Sequence, residues 1–268
     1  MTSFIKMSGC GNDFIALVEP VEAPAEGAIR AWCRRGISLG ADGVFTLHRL
    51  RPQAVEMRYW NSDGGEAALC LNGTRCAAQL AFQLGWSSDR VTVRTGAGEL
   101  AARRLASGAV AVEAPLPEPP SKTTLVTPDG AFTGWLARVG VPHLVCFRDQ
   151  PVESVPLDDW SPALRRHRDL GPEGANVDFV EMRGRHDLTI RSFERGIEGE
   201  TLACGTGVLA TAAAALAAGL AELPIRALTR GGFTLEVLGE TDDAKVKRWE
   251  LAGEARLVAE GTLLPGAC

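Results

Sequence analysis

Two cysteines that lie half a chain apart have closely similar surroundings in the sequence. The segment around Cys70 reads GEAALCLNGTRC and the segment around Cys204 reads GETLACGTGVLA, so both follow the pattern G-E-x3-C-x2-G. Small and apolar residues follow each cysteine, which predicts a helix that begins at the thiol. The free backbone N–H groups and the dipole at a helix N-terminus favour an anion. We therefore expect each thiol to have a lowered pKa, and the N–H groups beside it to bind a carboxylate.

Two such thiols on opposite sides of one carbon atom predict an inversion of configuration. A thiolate would remove the proton from one face, and the second thiol would deliver a proton to the other face. The helix N-termini would stabilise the charge that develops on the substrate carboxylate. This chemistry needs neither a metal nor an organic cofactor, and we expect none. The remaining cysteines are interpreted as small buried apolar side chains: Cys10, Cys33, Cys76, Cys146 and Cys268.

The matched segments indicate two pseudo-symmetric halves. In each half extended segments precede the thiol loop, a helix rich in small residues follows it, and further strands complete the half. We predict an α+β fold in which each half is a curved, mostly antiparallel sheet wrapped around a central helix. The proline-rich residues 115–128 are expected to be the linker. The predicted domains are residues 1–118 and residues 119–260, followed by a tail of residues 261–268.

Composition narrows the class of protein. The chain has 268 residues, 46% of them hydrophobic, and a net charge of −5 without a basic face, so no nucleic-acid partner is expected. Residues 201–221 carry no charge but consist mainly of Ala, Gly and Thr, so we predict a loop entering a buried helix and no membrane span. The N-terminal residues do not resemble a secretory signal. An odd number of cysteines without C-x-x-C favours a reducing, cytoplasmic location.

Nearly the whole chain resembles the diaminopimelate epimerases, which are cofactor-independent enzymes with two cysteines. The segments that carry the resemblance are KMSGCGNDF (6–14), LGADG (39–43), NSDGGEAALCLNGTRC (61–76), VPH (141–143), PEGANVDFV (172–180), ERGIEGETLACGTG (194–207) and the closing LAGEARLVAEG. The resemblance implies the diaminopimelate epimerase-like fold, in which the tail of residues 261–268 returns to the first half. It also implies a small amino-acid substrate in a cleft between the halves, and a homodimer. The implied reaction converts LL-diaminopimelate to meso-diaminopimelate in lysine and cell-wall precursor synthesis.

The resemblance also implies roles at the reacting carbon. Cys70 and Cys204 correspond to the two acid/base thiols, with His143 as the polar helper beside Cys70. Glu194 would assist Cys204 and help to hold the reacting amino group. The backbone N–H groups that would hold the reacting carboxylate belong to Leu71, Asn72, Gly205 and Thr206.

A second set of residues corresponds to the positions that bind the far end of diaminopimelate: Asn12, Asn61, Asn176 and Arg195. Arginine offers a planar fork for a carboxylate, and asparagine offers both a donor and an acceptor. Each asparagine could instead simply hold a turn. Three positions depart from the family pattern: Gly43 stands where some members have glutamine, which is a mild change. Leu71 replaces a glycine, and Val141 replaces an asparagine and so removes one donor. The last two departures put the identity of the substrate in question more than the reaction type.

Other functions remain open at this point. A racemase of the same fold could act on histidine, a proline-like acid or another small amino acid. A thiol hydrolase, a thiol peroxidase or a binding module would have no use for a second matched cysteine. A pyridoxal phosphate enzyme needs a Schiff-base lysine and a phosphate loop, and neither is evident around the available lysines, which are Lys6, Lys122, Lys245 and Lys247.

Overall fold

The computed structural model describes residues 2–242, 245–264 and 267. Cys268 and residues 265 and 266 of the predicted tail lie outside these ranges. The chain divides into two compact units. One unit contains the chain up to Glu113 and again from Ala252, and the other is Ala114–Leu251. Within the described ranges, no helix combines the length and apolar character needed to cross a membrane.

The first unit is a mixed sheet with one long buried helix. Its strands up to residue 114 are β1 (Thr2–Gly9), β2 (Asn12–Val18), β3 (Gly43–Arg51), β4 (Ala54–Asn61), β5 (Glu66–Ala67), β6 (Arg90–Thr95), β7 (Gly98–Arg104) and β8 (Val110–Ala114), and its helices are α1 (Glu26–Cys33) and α2 (Leu71–Gln83). The pairs β2–β3 and β4–β6 are parallel, whereas β1–β2, β3–β4, β4–β5, β6–β7 and β7–β8 are antiparallel. Small side chains allow α2 to be buried along most of its length.

The second unit repeats this arrangement. Its strands are β9 (Ser121–Thr127), β10 (Gly130–Val139), β11 (Val141–Arg148), β12 (Asn176–Met182), β13 (Asp187–Glu194), β14 (Gly199–Thr201), β15 (Ile225–Leu228), β16 (Thr234–Asp242) and β17 (Lys245–Gly253), and its helices are α3 (Leu157–Arg165) and α4 (Gly205–Ala217), with short 3-10 helices at Val152–Ser154 and Arg168–Leu170. The pairs β11–β12 and β13–β15 are parallel. The uncharged segment from residue 201 is therefore a short strand end, a turn and the buried helix α4, as the sequence predicted.

Strand register repeats between the units. The pair Phe14–Gly43 of β2 and β3 corresponds to the pair His143–Asn176 of β11 and β12. In the next strands, Tyr59 of β4 lies opposite Phe45 of β3, as Ser192 of β13 lies opposite Asp178 of β12. Each unit then continues through a short strand to the cysteine that precedes its long helix. The predicted α+β fold with two pseudo-symmetric halves is thus confirmed.

Two segments differ from the sequence-based expectations. The expected linker, residues 115–128, contains the strand β9, which pairs with β10 and buries Leu125. The threonine-rich sequence SKTTLVT has the β-branched residues typical of a strand. Their preference for extended structure prevails over the loop signal of the flanking prolines. The last strand, β18 (Arg256–Leu263), is antiparallel to β1. The boundary predicted at residue 260 therefore falls inside a strand that belongs to the first unit.

Replacing Leu263 tests how far β18 stabilises the first unit. Its side chain is 6% exposed and packs in a core cluster that includes Ile15 and Trp32, whereas Leu264 is 63% exposed. We expect Leu263→Ala to lower the free energy of unfolding by about 2–4 kcal/mol, because it removes buried methyl groups and leaves a cavity. The matched variant Leu264→Ala should change it by less than about 0.5 kcal/mol. Urea denaturation measures both; equal effects would contradict the prediction.

Candidate active site

Cys70 is the N-cap residue of α2. Its backbone is extended (φ −140°, ψ 105°), and its Sγ accepts a hydrogen bond from the N–H of Gly73 at 3.4 Å. A Cβ at Gly73 would lie 2.9 Å from Cε of Met57, so glycine permits this close packing. The C-x2-G pattern therefore places the thiol against the first turn of the helix, as predicted.

Cys204 is the N-cap residue of α4 and is 5% exposed. Its Sγ lies 3.5 Å from Oγ1 of Thr206, and the carboxyl group of Glu194 is close enough for its charge to act on the thiol. A Cβ at Gly207 would lie only 2.7 Å from Oδ1 of Asp178, so this glycine lets a buried carboxylate approach the helix N-terminus. The second thiol thus has polar partners from three different elements.

The expected lowering of the thiol pKa values is wrong. Burial raises the pKa of the Cys70 thiol, although the N–H of Gly73 and the charge of Arg75 act in the opposite direction. Burial raises the pKa of Cys204 well above its ordinary value, and the negative charges of Glu194 and Asp178 raise it further. Desolvation outweighs the helix N-terminus at both positions. Both shifts favour the protonated form of the thiol.

The other cysteines in the described part of the chain are buried free thiols: Cys10, Cys33, Cys76 and Cys146. Burial raises the pKa of Cys33 to about 11 and that of Cys146 to about 12. These positions fit the prediction that they serve as small apolar side chains.

A buried hydrogen-bonded chain lies beside Cys70. The guanidinium of Arg75, which is 0% exposed, donates to Oδ1 of Asn72 at 2.8 Å. The amide of Asn72 donates to Oδ1 of Asn12 at 2.5 Å, and that of Asn12 donates to Oδ2 of Asp42 at 3.0 Å. The structure thus brings together two of the predicted substrate-binding residues, Asn12 and Asn72, and adds Arg75 and Asp42, which sequence reasoning missed.

The strands beside Cys70 contribute aromatic side chains. Phe14 makes edge contacts with Phe45 and with Tyr59, at centroid distances of 6.2 and 6.0 Å. The Tyr59 hydroxyl lies near the Cys70 thiol, and burial raises the pKa of this hydroxyl. An apolar cluster with one hydroxyl therefore borders the first thiol.

At the equivalent register positions of the second unit the side chains are polar. His143 Nδ1 lies 2.7 Å from Oδ2 of Asp178, and both residues are 0% exposed. The hydroxyl of Ser192 donates to the other oxygen of Asp178 at 2.5 Å. His143 Nε2 lies 3.1 Å from Oγ1 of Thr206 and 3.4 Å from Nδ2 of Asn176. These contacts of His143 all lie on the side of the second thiol, and its placement beside Cys70 stays a prediction.

Glu194 ends the strand β13, next to Cys204. The hydroxyl of Thr201 donates to its Oε1 at 2.5 Å. Burial raises the pKa of the Glu194 carboxyl, whereas its hydrogen bond with Thr201 lowers it by less. The structure therefore places Glu194 next to the thiol to which it was assigned.

The residues predicted to bind the far end of the substrate fall into two places. The Arg195 N–H donates to Oδ1 of Asn176 at 3.0 Å, so Asn176 anchors the loop that follows β13. The guanidinium of Arg195 binds Glu173 at 3.0 Å, and Glu173 also binds Arg138. Asn61 is exposed at the end of β4, where its backbone N–H donates to the carbonyl of Gly65.

The remaining predicted positions lie at the starts of the two helices and of β11. Leu71 and Gly205 are the first residues of α2 and α4. The Leu71 side chain is 4% exposed, so it packs inward. Val141 begins β11 opposite Val139. Within the described residues, no group of three or more His, Cys, Asp and Glu side chains is arranged to hold a metal ion.

Four residues around the thiols were not predicted: Tyr59 and Arg75 near Cys70, Asp178 near Cys204, and Ser192, which binds Asp178. Asp178 carried a signal, because a carboxylate in the otherwise apolar strand sequence NVDFV needs buried partners. The other three have no local signal, since their partners come from other elements of the fold.

Comparisons with known proteins agree with this architecture. The sequence profile of the family described as Diaminopimelate epimerase matches residues 4–114 and 135–258. The protein of that name from Gemmatimonas aurantiaca is 37% identical over 276 residues, which cover 97% of this chain and 99% of that protein. The protein of that name from Archaeoglobus fulgidus is 38% identical over 250 residues, covering 86% of this chain and 87% of its own.

Solved structures share the fold at low sequence identity. A PhzF-family phenazine biosynthesis protein from Enterococcus faecalis has a TM-score of 0.74 at 16% identity, covering 98% of this chain and 99% of its own. A hydroxyproline epimerase from Agrobacterium vitis has a TM-score of 0.68 at 14% identity, covering 97% and 91%. This similarity concerns the fold alone.

Proposed function

The chain belongs to the diaminopimelate epimerase family, and on that premise we propose that it converts LL-diaminopimelate to meso-diaminopimelate. This reaction inverts one α-carbon and would serve lysine and cell-wall precursor synthesis. The observation that carries the proposal is the family match over nearly the whole chain. The two thiols at helix N-termini, one in each unit, support it chemically.

Cys70 and Cys204 act as the acid/base pair of the proposed reaction. The thiolate of one removes the α-proton, and the thiol of the other protonates the opposite face. The N–H groups of Leu71 and Asn72 on α2, and of Gly205 and Thr206 on α4, bind the α-carboxylate. Helix N-termini suit this task because their N–H groups have no partner within the helix. The thiols supply both proton-transfer groups, so the proposed reaction uses no cofactor.

The high thiol pKa values call for a base beside each thiol. Glu194 lies next to Cys204, where its charge raises the pKa of the thiol, and it is the polar helper of Cys204. It also helps to hold the reacting amino group. His143 is the second polar helper; its assignment to Cys70 rests on the family resemblance, and its hydrogen bond with Thr206 links it to Cys204 as well.

Arg195, Asn12, Asn61 and Asn176 bind the distal end of the proposed substrate. The guanidinium of Arg195 is 23% exposed and, within the described ranges, pairs with Glu173, so it can also receive a carboxylate. Asn176 supports the Arg195 backbone and therefore orients that guanidinium.

The remaining parts of the proposal concern assembly and location. We propose a homodimer, which light scattering of the purified protein would test. A reducing cytoplasm is favoured because every cysteine in the described ranges is a free thiol.

Incubation of the reduced, purified protein with LL-diaminopimelate in deuterium oxide tests the function. We expect meso-diaminopimelate carrying one deuterium at the inverted carbon, measured by chiral chromatography and mass spectrometry. Histidine, proline and other monocarboxylic amino acids form the comparison set. Faster exchange on one of these would favour the second candidate, a racemase of the same fold, for which Val141 is the motivating position. No exchange on any of them would overturn both.

A further inference from the structure

The second unit contains a continuous row of hydrogen bonds that ends at a thiol. Asp178 Oδ2 lies 2.7 Å from Nδ1 of His143, and Nε2 of His143 lies 3.1 Å from Oγ1 of Thr206. Thr206 Oγ1 lies 3.5 Å from Sγ of Cys204. The row therefore connects a fully buried carboxylate to the thiol through an imidazole and a hydroxyl.

The donors and acceptors of this row have one consistent direction. The Asp178 carboxylate only accepts, so Nδ1 of His143 carries the hydrogen and Nε2 of the neutral ring is an acceptor. The Thr206 hydroxyl then donates to Nε2, and its oxygen is free to accept the S–H of Cys204. A carboxylate that fixes a histidine tautomer in this way also stabilises the ring when it becomes protonated.

Asp178 is itself held in place. The Ser192 hydroxyl donates to its Oδ1 at 2.5 Å, and Gly207 leaves the space that Oδ1 occupies at the first turn of α4. At the equivalent register positions of the first unit the side chains are Phe45 and Tyr59, so the fold alone does not require polar groups here. Burial of a carboxylate is costly, which indicates that this group serves the site.

We propose that Asp178 is a positioning residue that holds His143 to receive, through Thr206, the proton that Cys204 releases. The inference rests on the proposed function. The S–H bond of Cys204 breaks as an O–H bond forms at Thr206, and the original Thr206 hydroxyl proton passes to Nε2. The result is a thiolate and an imidazolium paired with Asp178, and the reverse steps restore the thiol without any change of oxidation state.

Other groups face the same thiol. Glu194 is a competing acceptor for the Cys204 proton, and the amide of Asn176 is a competing donor to His143 Nε2 at 3.4 Å. The negative charge of Asp178 by itself raises the pKa of Cys204. Removal of that charge alone would therefore make the thiol ionise more readily, whereas loss of the relay would make it ionise less readily. A rise or a fall of the Cys204 pKa on removal of Asp178 therefore distinguishes a relay role of Asp178 from a purely electrostatic one.

Alkylation of Cys204 by iodoacetamide between pH 6.5 and 10 reports how readily the thiol ionises, without any substrate. Peptide mass mapping quantifies the alkylated Cys204. In a Cys70→Ala background, we expect Asp178→Asn to raise the pH midpoint by about one unit, which corresponds to about tenfold slower alkylation at pH 8. An unchanged or lower midpoint would overturn the proposal. Circular dichroism establishes that each variant is folded.

Thr206 provides a second test that leaves the buried carboxylate untouched. Thr206→Val should slow alkylation of Cys204 as Asp178→Asn does, and Thr206→Ser, which retains the hydroxyl, should restore the wild-type rate. Combining Thr206→Val with Asp178→Asn should add little, because both interrupt one path. Additive effects, or no rescue by serine, would contradict the relay. A protein that shows these alkylation effects but inverts no diaminopimelate would refute the proposed function and leave the relay intact.

Discussion

Replacing either Cys70 or Cys204 with alanine is expected to abolish inversion and to leave a one-sided exchange of the α-proton. Each variant keeps one thiol, which removes a proton from one face and can return it only to that face. We expect the rate of inversion to fall by on the order of 10⁴-fold. In deuterium oxide, one variant should label LL-diaminopimelate and the other should label the D-centre of the meso form. Mass spectrometry of the separated stereoisomers measures both.

Buried cysteines outside the two loops provide matched controls. Cys76 lies in α2 and Cys146 in β11, and both are buried free thiols. Their alanine variants should retain inversion and label both stereoisomers, although the lost packing can lower stability. Inversion by a protein that lacks Cys70 or Cys204 would refute the two-thiol mechanism, and so would labelling of the same stereoisomer by both variants.

Glu194→Gln is expected to lower kcat/KM by about 10²–10⁴-fold, because the amide keeps the shape of the side chain but removes the carboxylate that assists Cys204 and holds the reacting amino group. Steady-state kinetics with LL-diaminopimelate measures the loss. Glu198→Gln is the matched control, since Glu198 is an exposed residue that forms ion pairs with Arg165 and Arg166. An equal loss in both variants would show that the effect is not specific to the carboxyl group beside the thiol.

Although Glu194→Gln should lower activity, we expect it to raise thermal stability relative to wild type as the pH increases. Burial raises the pKa of Glu194, so the folded protein holds this proton to a higher pH than the unfolded chain does. The stability contributed by this group is present below the ordinary glutamate pKa of about 4.3 and is lost as the pH rises through the raised value. Glutamine does not ionise, so Glu194→Gln should gain thermal stability relative to wild type as the pH rises over this range. A constant difference between pH 4 and pH 8 would contradict the burial argument.

Local signals in the sequence were sufficient for the two helix-capping thiols and most of the strands. A cysteine before a run of small residues marks a helix start, and the extended segments before each thiol loop mark strands, since both patterns depend only on neighbours along the chain. The helices α1 and α3 were not predicted from the sequence. These helices have eight and nine residues, which is shorter than the window in which a helical period is evident.

The acid–base character of the site was decided by the tertiary structure. Helix position alone predicts thiols of low pKa, but burial and the carboxylates of Glu194 and Asp178 reverse that prediction at Cys204. Likewise, β18 joins β1 across nearly the whole length of the chain. The sequence by itself determined which residues are chemically able to exchange protons. Only the folded chain determined which charges surround them, because desolvation and charge–charge interactions depend on distances in space between residues that are remote in sequence.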